Sequence, residues 1–159
     1  MAALGRPSEA VRTAEAAVGI GERLDHRELT TAALRALGIA QRAAGDIVQA
    51  EASLRRALEV AGDNIPVFAS RAAASLAQLL VARGQLDEAE TLLPQALAVG
   101  PPFGRFEGLL AQAELAAARG DSDAEDLASN ALRVAETGGY FSITPRLNEL
   151  LVRPRARPV

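Results

Sequence analysis

The chain has no cysteine, which excludes disulfides, thiolate metal sites and cysteine nucleophiles. It has no lysine either: all 17 basic residues are arginine, a bias we read as GC-rich coding. A phosphate-binding GxxxxGK[ST] loop is therefore excluded. Tryptophan is missing and aromatics are only 3% of the chain. No apolar run approaches the roughly 20 residues that span a bilayer, and the N-terminus has no apolar signal-peptide core. The net charge of −3 gives no general attraction to nucleic acid or to an anionic membrane. A cytoplasmic chain that binds neither is the expectation.

Hydrophobic residues nonetheless make up 49% of the 159 positions, supplied mostly by alanine and leucine. That mixture favours helices packed closely through small side chains. The stretch Leu34–Leu58 shows how they are arranged. Leu34, Leu37, Gly38 and Gln41 recur at helical spacing, and so do Ile47, Ala50, Leu54, Ala57 and Leu58. Between the two segments, Gly45 suits a left-handed helix end, and Asp46 is placed to cap the helix that follows. The pattern recurs along the chain. Turn glycines fall at Gly5, Gly45, Gly84 and Gly120, which are 40, 39 and 36 residues apart. Each is followed by alanines seven apart: Ala10 and Ala17, Ala50 and Ala57, Ala89 and Ala96, Ala124 and Ala131.

These residues resemble the tetratricopeptide repeat, whose consensus has a Leu-Gly pair in helix A, a turn glycine and spaced alanines in helix B. Leu37-Gly38, Gly45, Ala50, Leu54 and Ala57 carry the resemblance best. Leu76-Ala77, Gly84, Ala89, Leu93, Ala96 and Pro101 carry a second copy, and Ala113, Gly120 and Ala131 a third. The helix A aromatics of the motif are absent, and the units exceed the usual ~34 residues. Long alanine-rich repeats of this kind are similar to those in large bacterial ATP-dependent regulators and nucleotide cyclases. The resemblance implies an all-α fold, a right-handed superhelical solenoid of about four hairpins. A repeat domain over 1–152 is expected, with units at 4–22, 27–60, 66–99 and 106–137, a final helix at 144–152 and a disordered tail at 153–159. The first unit enters at helix B, so its uncovered face is a candidate for homodimer formation.

No catalytic constellation stands out. His26 reads as a solvated loop residue with no second metal ligand in reach. The acidic runs Asp87-Glu88-Glu90 and Asp121-Asp123-Glu125-Asp126 fall in helix first turns, where the helix dipole favours negative charge. Phe103, Phe106, Tyr140 and Phe141 are expected to pack together and close the C-terminal end. No enzyme, cofactor or metal is implied. In a stack of such hairpins the A helices line the concave face. Alignment places Arg35, Ile39 and Arg42 there from one copy, Arg71, Ala74 and Gln78 from the next, and Glu107 and Glu114 from the third. One end of the face would be basic and the other acidic. Because arginine grips carboxylates through paired hydrogen bonds, the partner expected is a protein or peptide that presents an acidic segment or a chain terminus. The function that follows is a non-catalytic interaction scaffold. The alternative is a regulatory or sensor segment of a larger ATP-dependent transcriptional regulator or nucleotide cyclase.

Overall fold

Alternating long and short apolar positions at helical spacing build eight α-helices in a computed structural model that describes residues 5–100 and 105–152, with side chains from Ser8 onward. They are α1 (Gly5–Arg23), α2 (Arg27–Ala44), α3 (Ile47–Ala61), α4 (Pro66–Ala82), α5 (Leu86–Ala96), α6 (Phe106–Arg119), α7 (Ala124–Thr137) and α8 (Thr144–Val152). A 3-10 turn at Phe141–Ile143 precedes α8. No strand occurs among the described residues. Pro101, Pro102, Phe103 and Gly104, and the arginine-rich tail from residue 153, lie outside them.

The turns repeat at the level of single hydrogen bonds. Gly45 N–H donates to the Arg42 carbonyl and Asp46 N–H to that of Gln41. Gly84 and Gln85 donate in the same way to Val81 and Leu80, and Gly120 and Asp121 to Ala117 and Ala116. These bonds close the helix end only if the glycine sits at positive φ, observed at 90°, 74° and 75°, where a Cβ is penalised. Asp46 departs from expectation: its side chain makes no capping hydrogen bond, and only its carbonyl joins α3, accepting from Ala50. The α5 helix ends at Ala96, short of the Val99 read from the sequence. Pro94 lies in its last turn, where the missing N–H weakens further propagation.

Helices α2, α4, α6 and α8 pack in succession and form one layer. Helices α1, α3, α5 and α7 pack against that layer and not against each other. The apolar seams are thin because alanine supplies them. Ala50, Ala57, Ala72, Ala73, Ala77, Ala89, Ala96 and Ala131 are fully buried, and Leu34, Leu54, Leu76, Leu79 and Leu80 fill the space between. Each such leucine contributes about 2 kcal/mol by burial. Close approach reaches its limit at Gly108, where a Cβ would sit 2.4 Å from the Ala96 carbonyl oxygen. The first alanine pair behaves differently. Ala10 is exposed and Ala17 half-buried, while Ala14 and Val18 bury against α2 instead.

Ion pairs join successive repeat units. Arg55 of α3 bonds Glu88 of α5 at 2.7 Å, and Arg119 at the end of α6 reaches Asp87 and Glu90 at 3.1 and 2.9 Å. The Asp87-Glu88-Glu90 run therefore serves contacts between units as well as the helix dipole. His26 is the N-cap of α2, its Nδ1 accepting from the Leu29 N–H at 3.3 Å. Among the aromatics, Phe106 and Tyr140 stack at 4.7 Å. Phe141 does not join them: it is 64% exposed. Phe103 lies outside the described residues.

Candidate functional site

The inner layer encloses a groove of about 590 Å³. Helix α2 supplies Arg35, Ile39 and Arg42 at helical spacing, so all three share one face. Helix α4 supplies Arg71 and Gln78, and α6 supplies Glu107. Leu54, Leu110 and Ile143 give it apolar walls. Glu114 sits further along α6, beside a second hollow of about 240 Å³ that shares Gln78 and Arg146 with the first. Ala74 is buried in the core instead of facing the groove.

The expected separation into a basic and an acidic end does not occur. Glu107, in the first turn of α6, reaches across α4 and places Oε1 3.3 Å from Arg35 Nη2 and 3.6 Å from Arg71 Nη2. Repeat alignment puts residues on a face but carries no distance across it, and 72 positions separate Arg35 from Glu107. The surrounding polar groups are ordered by the same cluster. Arg35 Nε donates to Ser75 Oγ at 2.9 Å and to the Arg71 carbonyl at 3.2 Å. Gln78 Nε2 donates to the Glu107 carbonyl at 3.2 Å, and the Tyr140 hydroxyl donates to Glu107 Oε1 at 2.7 Å. Burial lowers the pKa of Arg35; the Glu107 charge opposes this and Arg71 adds to it. Burial, reinforced by the hydrogen bond to Glu107, raises the Tyr140 phenol above its ordinary 10.0.

Two contributors were missed in the sequence. Tyr140 and Arg146 line the groove from the C-terminal segment, and Arg146 pairs with Glu114. The available signal was the repeat order itself: a helix opening at Thr144-Pro145 is the next member of the inner layer. Chemically the groove offers guanidinium donors, an amide and apolar walls. No group of three side chains that could hold a metal ion forms among the described residues. No helix of the described residues is long and apolar enough to cross a membrane.

Two family models, each described as the tetratricopeptide repeat, match the chain, one over residues 1–63 and the other over residues 41–113. No curated protein and no solved structure matches it. With the recurring glycine turn, the buried alanine pairs of the second and third units and the two-layer order of the helices, these matches make the chain a tetratricopeptide-repeat-like protein, its matched repeats lying within residues 1–113.

Proposed function

We propose that this chain is a non-catalytic scaffold that holds an acidic peptide or protein segment in the groove between α2, α4, α6 and the C-terminal segment. Tetratricopeptide repeats are in general protein-interaction modules, which supplies the class of activity. The observation that supports the location is the convergence of Arg35, Ile39, Arg42, Arg71, Gln78 and Glu107 on one groove. The reading draws further support from charge. Four arginines line the groove against the single carboxylate Glu107, with Glu114 and Glu149 beside the adjoining hollow, in a chain whose overall charge is −3. An acidic segment meets local attraction there. The volume lies within the ordinary range of binding pockets, about 300–1,000 Å³, and Ile39, 45% exposed, offers an apolar contact at its edge.

The test compares Ile39→Asp with Val48→Asp, a substitution at a 73% exposed position of α3 that does not line the groove. Affinity capture from the source lysate should retain the same protein with the wild type and the Val48 variant, and lose it with the Ile39 variant. Equal retention by both variants, or capture only of further copies of this chain, would overturn the groove as the binding surface.

A further inference from the structure

The four arginines of the groove are not equivalent. Arg35 and Arg71 share the Glu107 carboxylate, and Arg35 is further tied to Ser75 and to the Arg71 carbonyl. A ligand anion reaching for that pair would have to displace an internal one. Arg146 is held by Glu114 through one Nη, which leaves most of its five N–H donors for other acceptors. Arg42 differs from all three. It is half-buried and lines the groove, yet among the described residues its guanidinium makes no hydrogen bond and no ion pair. The charges that act on it are Arg146 and, more weakly, Glu114. Burial and the Arg146 charge both lower its pKa, the behaviour of a guanidinium taken out of water with a cation for a neighbour. Arginine stays protonated regardless, so the positive charge remains in the groove.

We propose that Arg42 of α2 and Arg146 of α8 form a docking notch for the side-chain carboxylate of an aspartate or glutamate carried by the bound segment. The proposal rests on the groove reading and sharpens it to one pair of residues. A carboxylate between the two guanidinium groups would take charge-assisted bonds from both and relieve their repulsion. Ile39, one turn before Arg42 on the same face, gives an apolar neighbour, so the matching sequence is an acidic residue flanked by an apolar one. A side chain is favoured over a chain terminus because the groove does not stop at Arg146. A second hollow, beside Val81 and Glu149, shares Gln78 and Arg146 with it, which leaves space for an extended peptide to continue.

The experiment follows the arginine Nε–Hε resonances of the full chain, labelled with 15N, by NMR. The probe is an N-acetylated, C-amidated peptide of alternating leucine and glutamate, whose only carboxylates are side chains. The expected result is a saturable shift of the Arg42 and Arg146 signals, with that of the outer Arg119 unmoved. The glutamine counterpart should bind about tenfold or more weakly, the magnitude of one hydrogen bond to a charged group. Arg42→Gln should abolish the preference for glutamate. Since the Arg42 side chain has no internal partner, that variant should keep the wild-type circular dichroism, and Arg42→Lys should retain part of the preference. Equal binding of the two peptides, uniform movement of all arginines with ionic strength, or no binding would overturn the notch. So would shifts produced only by a glutamine peptide with a free C-terminus. The groove reading is judged separately, by the Ile39 and Val48 variants, and can survive the failure of the notch.

Discussion

Glu107 is the residue on which the groove's polar order depends. Its carboxylate faces two guanidinium groups and accepts the Tyr140 hydroxyl, and its main-chain carbonyl accepts from Gln78. Tyr140 is the only tyrosine in the chain, so its ionisation can be followed by tyrosinate absorbance without interference. Burial first, then the Glu107 hydrogen bond and charge, raise its pKa, while Arg71 and Arg35 lower it. The midpoint should therefore lie above the ordinary 10.0. For the linkage, the folded phenol holds its proton more tightly than the unfolded one. The stability this adds is present below the unfolded pKa and is lost as pH rises through the folded one. Glu107→Gln removes the negative charge while keeping an acceptor for the hydroxyl, so the titration midpoint should fall towards the ordinary value. An unchanged midpoint in a variant still helical at that pH would mean that Glu107 does not control this site.

At the scale of elements, the helices and their turns were legible because their causes are local. Apolar spacing marks each buried face, and a glycine at positive φ ends the first helix of the second, third and fourth units. Contacts between elements were less legible. The Leu37-Gly38 pair was read from the motif, whereas Gly108 has no counterpart in it, although it sets the approach of α6 to α5. A Cβ there would lie 2.4 Å from the Ala96 oxygen and 2.9 Å from its carbonyl carbon. That carbonyl also accepts the Ser70 hydroxyl at 2.9 Å, so it cannot yield without loosening α4. At Gly38 the nearest obstacle is instead the Leu54 side chain at 2.6 Å, and the nearest backbone atom, the Ala50 oxygen, is further off at 3.0 Å. Alanine gains up to about 1 kcal/mol over glycine in a helix interior, against about 1–3 kcal/mol for overpacking. Gly108→Ala should therefore be destabilising in urea, by about 2 kcal/mol, and more so than Gly38→Ala. A neutral or stabilising Gly108→Ala would show that the α5–α6 seam can open without cost.

In a solenoid each unit ordinarily touches only its neighbours, so stability is a sum of local and nearest-neighbour contributions and the ends can melt first. Among the described residues this chain departs from that scheme at Glu107. Helix α2 packs on α1, α3 and α4 but not on α6, yet Arg35 of α2 meets Glu107 of α6 across the groove, and Tyr140 joins the same carboxylate from beyond α7. The link was invisible in the sequence because periodicity reports which face a residue occupies, and nothing in a repeat unit specifies a partner two units away. Its consequence is a side-chain tie between the early and late parts of the chain, which should make unfolding more cooperative than stacking alone provides. In the wild type, loss of the near-UV circular dichroism of Tyr140, stacked on Phe106, should coincide in urea with loss of far-UV helicity. Glu107→Gln should separate them, the Tyr140 signal disappearing first. For a tie worth about 1 kcal/mol and a slope of about 2 kcal/mol/M, the separation is about 0.5 M. If the two curves stay superimposed in the variant, neighbour stacking alone carries the cooperativity, and the cluster around Glu107 serves only to shape the groove.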